Sequence, residues 1–397
     1  MGAQGRMERR GLQGRDLRPL PPALARYRPG GVAMRSGSAE SRFVSINLGA
    51  AGIAYALYRL GRSRGEHQLL MQASSWVQKA FALSSSDKAY YEAELELTPE
   101  TVGRVSLFHS ASGLHCVDTL VRLALGDLDG AARAAKAFIA RSRGPCDNPD
   151  LTLGAASLLL GCAEIVESAG TPPLLDVTLL RKRGDELAEL LATILQSESI
   201  ATSNRIRFLG VAHGWAGLLF ALLRWTRAAR GGVQSLLAAK LDELADLAMP
   251  YEGGLCWPMH NNSLSLMTGW CHGTAGYTML FALAHELLRA PRYAEVAALA
   301  ADSAWDIRTS AGSLCCGNAG IGYAFLAAYR LTNAPVWLDR ARLAAQRARH
   351  DRLTFIHRDS LYRGVLGVAL FASELDRPAA AAMPLFEPVR FEDEVSA

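Results

Sequence analysis

The sequence predicts an all-α protein of seven helical hairpins, with apolar inner helices packed inside a ring of outer ones. Two observations carry this expectation. Leu, Ala, Ile and Val recur at helical spacing along most of the chain. A Gly-x-x-Gly element also returns, in strong or weakened form, seven times, each time where an apolar helix begins. With 397 residues, 50% hydrophobic and 20% charged, the chain can bury a large core, and repeats can merge what length alone would divide into two or three domains.

In chain order, helical spacing marks Ala51–Leu60, Val117–Ala140, Leu179–Leu195, Gly217–Arg230, Gln234–Met249, Gly276–Arg289, Tyr293–Ile307, Gly320–Leu331 and Val336–Arg349. Gly, Pro or Asn closes several of them, as at Gly231–Gly232 and Asn333–Pro335. Only short pieces such as Gly254–Trp257 suit a strand.

The repeat begins at Gly49, Gly214, Gly273, Gly317 and Gly364, with weaker copies at Ser110–Gly113 and Gly154–Ser157. Successive starts lie about 45 to 60 residues apart, room for two helices and their loops. A loop entering a helix often needs positive φ or close backbone approach, and glycine supplies both. Repeated at one end of every hairpin, the turns would converge on one rim. A closed helix-in-helix barrel does this, and an open solenoid is the alternative. We expect residues 43–376 to form this body, 1–42 a flexible basic arm and 377–397 a C-terminal tail.

Net charge is +4, from 42 basic and 38 acidic residues, and much of the basic excess precedes Arg42. That balance gives no case for nucleic acid or a membrane surface. No apolar run reaches the length of a membrane span, and no apolar segment follows the Arg-rich start as in a secretory signal. Seven cysteines without a regular framework suit a reducing, cytoplasmic compartment, where thiols can serve a metal or catalysis.

Three turns carry unusual groups: Ala212-His213-Gly214, Trp270-Cys271-His272-Gly273 and Cys315-Cys316-Gly317-Asn318. Each places its reactive side chains at a helix entrance, where amide N–H groups and the helix dipole favour thiolates. Cys271 and Cys315 stand one repeat apart, so neighbouring turns could bring Cys271, Cys315 and Cys316 around one ion. Zinc suits thiolates best, and three protein ligands leave a fourth position open, the pattern of a catalytic site. The plain alternatives are three buried cysteines or a strained Cys315–Cys316 disulfide. His213 could serve as acid, base or fourth ligand. Asp150, four residues before Gly154, could partner His213 or cap the following helix. His272 could support Cys271. Cys116, Cys146, Cys162 and Cys256 fall outside the rim pattern and read as structural. The sequence holds no Gly-x-Ser-x-Gly elbow, phosphate loop or kinase signature set.

These turns resemble those of the lanthionine synthetase C-like family, over roughly Ser45 to Leu375. The resemblance implies an α/α toroid with zinc at its mouth, held by Cys271, Cys315 and Cys316. Most members have a His after the second Cys. Cys316 stands there in this chain, as in the Cys-Cys-Gly variant. The family's catalytic His and Asp fall on His213 and Asp150, while its Arg upstream of Trp-Cys is replaced by Met267 and Thr268. The implied reaction is addition of a peptide cysteine to dehydroalanine or dehydrobutyrine, forming a thioether ring. A dehydrated precursor peptide would be the substrate and a separate dehydratase the partner. The alternatives are glutathione addition to dehydrated proteins, or a non-catalytic zinc protein that binds peptide.

Overall fold

Every turn residue of the repeat sits directly before an apolar helix. The computed structural model describes residues 43–231, 234–261, 263, 265–350 and 358–389. The expected arm at 1–42 and residues 390–397 of the expected tail lie outside the described residues. Seven inner helices follow the seven turns: α1 (Ala50–Arg64), α4 (Ala111–Leu125), α6 (Ala155–Ser168), α8 (Trp215–Ala229), α10 (Thr274–Leu288), α12 (Asn318–Thr332) and α14 (Val365–Glu374). Six outer helices return the chain: α2 (His67–Leu83), α5 (Leu128–Arg141), α7 (Thr178–Ser197), α9 (Gln234–Asp246), α11 (Pro291–Asp306) and α13 (Pro335–His350). Two 3-10 turns (Asp87–Ala89 and Ala93–Leu95), a short α3 (Pro99–Val102) and a hairpin of β1 (Met249–Tyr251) and β2 (Gly254–Cys256) complete the described elements.

The two rings differ in what they bury. In α5, Gly130, Ala131, Ala134, Ala135 and Phe138 are buried, one stripe at helical spacing. In α6, every residue from Ala155 to Val166 is buried. An inner helix is buried on nearly every side, and the helical spacing read from the sequence covers α1, α8, α10 and α12 of this ring but not α6 and α14. The single helix expected over Val117–Ala140 is two. Gly126 adopts φ 78° as the C-cap of α4, and Asp127 caps α5 by accepting from Gly130 N at 2.9 Å.

Inner helices touch their neighbours in order, and α14 returns to α1, closing an α/α toroid. The turn glycines make the tight rim possible by close approach, since their φ values are extended, −147° at Gly214 and −115° at Gly273. A Cβ on Gly217 would stand 2.1 Å from the Val211 carbonyl oxygen, and one on Gly276 2.4 Å from that of Trp270. The weak copies use hydroxyls instead: Ser157 Oγ donates to Gly154 O (2.6 Å) and accepts from Leu107 N (2.9 Å).

Hydrogen bonds run from turn to turn around the rim. Asn47 N donates to Phe108 O, Ser106 Oγ to Thr152 O, Thr152 N to Ala212 O, Ala212 N to Cys271 O, Cys271 N to Cys315 O and Cys315 N to Tyr362 O. Leu361 N to Asn47 O closes the circuit at 3.1 Å. Neighbouring turns are therefore locked in register.

Residues 381–387, read as part of a tail, are buried inside the ring. They touch α1, α8 and α12, so the segment lies across the axis. The Phe386 ring stacks on Phe220 (3.5 Å between centroids) and meets Trp270 edge-on (5.4 Å). Arg224, fully buried, donates to Phe386 O and pairs with Glu164 and Glu167, while Arg59 donates to Ala382 O and pairs with Glu374 at 2.6 Å. Each buried guanidinium thus has a carboxylate and a carbonyl to replace water. No helix among the described residues is long and apolar enough to cross a membrane.

A three-cysteine cluster beside a His–Asp pair

The rim hydrogen bonds place Cys271 from the fifth turn against the sixth. Gly269 allows it: a Cβ there would stand 2.7 Å from Cys316 Cα. The Sγ of Cys271 lies 3.3 Å from that of Cys316, which lies 3.4 Å from that of Cys315. All three sulfurs fall within 4.8 Å of one another, and all seven cysteines are free thiols. The vicinal disulfide is therefore absent. Four sulfurs at about 2.3 Å from a tetrahedral zinc lie about 3.8 Å apart, so the two close pairs need open by only about half an ångström. The donor set fits a thiophilic ion, with side-chain adjustment alone.

The thiols share charge unequally. Its hydrogen bonds with Cys271 and Cys315, with the positive charge of Arg363, outweigh burial and hold Cys316 far below the usual thiol range. Cys315 is pushed up by its bonds to Cys271 and Cys316 and by burial. For Cys271, Cys315 acts to lower the pKa, but donation to Cys316, burial and the neighbouring thiolate win and push it up to about 12. Of the three thiols, Cys316 is the one held low enough to favour the thiolate. A cation would draw off the remaining protons.

His213, from the fourth turn, lines the same cavity as this cluster, and Asp150, from the third, pairs with it. Asp150 Oδ2 lies 2.8 Å from His213 Nδ1. Its other oxygen, Oδ1, accepts from Thr152 N (2.6 Å), Thr152 Oγ1 (2.9 Å) and Leu153 N (2.9 Å). The carboxylate thus both orients the imidazole and caps the turn at Thr152–Leu153, while Gly154 is the N-cap of α6. Thr152 Oγ1 also lies 3.2 Å from His213 Nδ1. Burial opposes the charged imidazole, but the Asp150 hydrogen bond and charge, with the Cys316 charge behind them, raise the His213 pKa overall. With Nδ1 engaged, Nε2 is the nitrogen left for chemistry.

A cavity of about 390 Å³ opens over the cluster, and His213, Thr152, His109, His272 and Arg363 line it. His272 does not support Cys271 through its ring. Its buried Nδ1 has no partner among the described residues, and the ring packs on His213 (5.5 Å) and Phe208 (5.1 Å). Burial, then the nearby His213 charge, lowers His272 and His109 to about 4, so both are neutral near pH 7. Cys116, Cys162 and Cys256 are buried away from the cavity, and Cys146 is half-buried with its Sγ on Asn148 O (3.4 Å). His109 and Arg363 were missed as rim residues. The signal that finds them is position, since each directly precedes a turn residue, as His213 and Cys316 do.

Two comparisons agree with this architecture. The solved structure of nisin cyclase has the same fold, at a TM-score of 0.64 and 12% identity, covering 87% of this chain and 90% of that one. The family model described as "Lanthionine synthetase C-like protein" matches residues 43–387, which takes in every turn and the buried axial segment. The chain belongs to the lanthionine synthetase C-like family.

Proposed function

We propose that this chain is a zinc-dependent cyclase that adds a peptide cysteine to dehydroalanine or dehydrobutyrine, forming a thioether. The observation that carries the reading is three convergent cysteine sulfurs facing a hydrogen-bonded His–Asp pair across one cavity. Cys271, Cys315 and Cys316 would hold a zinc ion, whose Lewis acidity would lower the substrate thiol's pKa from about 8.5, and the thiol proton would pass to solvent, from which His213 is later reprotonated. The sulfur bonds to Cβ, and the π pair of the Cα=Cβ bond moves toward the carbonyl as an enolate. His213, charged through its contact with Asp150, delivers the proton to Cα. The net change is addition of S–H across the double bond, with no redox partner.

Family membership and the fold shared with nisin cyclase support a peptide substrate. The test pairs Cys271→Ala with His213→Asn on a dehydrated peptide that also carries a cysteine. Ring closure does not change mass, so it is read by loss of thiol alkylation in mass spectrometry. Cys271→Ala is expected to lose metal and ring closure together, and His213→Asn to keep metal and lose turnover. Full ring closure by metal-free Cys271→Ala refutes the reading. A parallel arm with glutathione and the same peptide would show whether an external thiol is the true substrate. Peptide binding without turnover by the zinc-loaded wild type would leave a binding protein.

A further inference from the structure

The repeat gives each turn one position directly before its turn residue. Five of these seven positions carry reactive chemistry: His109, His213, His272, Cys316 and Arg363. All five line the same cavity. Arg363 is the only Arg or Lys among the described residues that do.

We propose that Arg363 is a further catalytic residue, its guanidinium placed to hold the carbonyl oxygen of the dehydroamino acid as negative charge develops there. This rests on the cyclase reading above. Charge balance motivates it. Three thiolates around a dication sum to about −1, and a substrate thiolate takes the site to about −2. The enolate then adds further negative charge beside an already anionic centre, which Coulomb repulsion opposes unless a cation lies close. The proton on His213 is spent in the reaction, and no other described Arg or Lys lines the cavity. Arg363 alone keeps its charge throughout.

Its placement suits the task. Tyr362, the residue before it, accepts from Cys315 N at 2.9 Å, and Arg363 N donates to Ser360 Oγ at 2.9 Å. The Arg363 backbone is therefore bolted to the turn that carries the metal ligands. The side chain is exposed, and its guanidinium makes no hydrogen bond or ion pair with another described residue, so its donors are free for a ligand. It shares its cavity with Cys316, His213 and His109. A planar fork of N–H donors matches a carbonyl oxygen acquiring charge better than a lysine ammonium does. Arg363 moves no proton. The S–Cβ bond forms, the π pair spreads onto the oxygen that Arg363 holds, and His213 supplies the Cα proton.

The experiment uses the full chain loaded with zinc, as wild type, Arg363→Lys and Arg363→Met. Three quantities are read: zinc per chain by mass spectrometry, affinity for the same peptide with alanine in place of dehydroalanine, and the single-turnover rate of ring closure. Removing an enclosed oxyanion donor costs about 10² to 10³ in rate, and exposure reduces that here, so Arg363→Met is expected to slow closure by about tenfold or more. Arg363→Lys should recover part of the loss, and the deficit of Arg363→Met should shrink as salt screens the wild-type charge. Zinc content and affinity for the saturated peptide should stay within about twofold. An unchanged rate in Arg363→Met overturns the proposal. So does a rate loss that tracks lost zinc or lost affinity for the saturated peptide, since Arg363 would then only hold the site or anchor the ligand. A wild type that loads zinc and binds peptide yet closes no ring refutes the cyclase reading itself, and Arg363 then has no reaction to serve.

Discussion

Asp150→Asn separates the two jobs that one carboxylate performs. Oδ2 charges and orients His213 across 2.8 Å, while Oδ1 caps the turn through Thr152 N, Thr152 Oγ1 and Leu153 N. An asparagine keeps the Oδ1 acceptor, so the cap survives and zinc content should not change. Asp150→Ala would lose the cap as well, at about 1 kcal/mol. What Asn removes is the negative charge. Burial is then opposed only by the Cys316 charge, and the His213 pKa falls. A general acid must be protonated, so the rate falls as pH rises through the His213 pKa. Asp150 holds that pKa up, and Asp150→Asn should move the descending limb of the pH–rate profile to lower pH. General-acid catalysis contributes about 10² to 10⁴ in rate, and loss of both charge and orientation should cost about 10²-fold at pH 7. The assay is ring closure by thiol alkylation across pH, with zinc measured on each sample. An unmoved descending limb with kcat within about threefold of wild type would refute the assignment of His213 as an acid set by Asp150.

Other expectations follow from the same geometry. Zinc loading at pH 7 should release about two protons, from Cys271 and Cys315, whose thiols are held high while that of Cys316 is held low; calorimetry in buffers of different ionisation enthalpy counts them, and a value near zero or three contradicts the shared-charge cluster. Phe386→Ala removes a ring packed between Phe220 and Trp270 and should cost about 3 to 5 kcal/mol, seen as a lower midpoint in denaturant, whereas a surface-like change below about 0.5 kcal/mol would mean the axial segment adds little to the core. Gly276→Ala drives a Cβ to 2.4 Å from the Trp270 carbonyl, one residue before Cys271, so stability should fall by about 1 to 3 kcal/mol and zinc affinity with it; wild-type zinc affinity in this variant would show that the turn tolerates the shift.

The sequence announced the repeat and the site's residue types because both rest on local chemistry. A glycine required within 2.5 Å of a carbonyl cannot be another residue, so the turns at Gly214–Gly217 and Gly273–Gly276 are legible without any fold. Cys271, Cys315 and Cys316 stood out because thiols at equivalent points of successive turns are unusual. Helical spacing marked inner and outer helices alike, from the largely buried α1 to the amphipathic α5, but it did not mark α2, α6 or α14. The split at Gly126 was missed because apolar spacing runs through it, although a glycine followed by Asp127 is a local stop and start.

What the chain's order alone could not give is everything that depends on closure. A solenoid and a ring have the same repeat, and only the α14–α1 contact with Leu361 N on Asn47 O distinguishes them. Closure brings the first and last turns together and sets Arg363 in the same cavity as His109 and His213. It also creates the axial space that residues 381–387 fill, where Arg59 and Arg224 can be buried only because carbonyls of that segment and facing carboxylates replace their water. Residue type, period and turn chemistry are properties of the chain. Which side chains share a charge, a proton or a cavity is decided by contacts between residues far apart in sequence, and those exist only once the ring has shut.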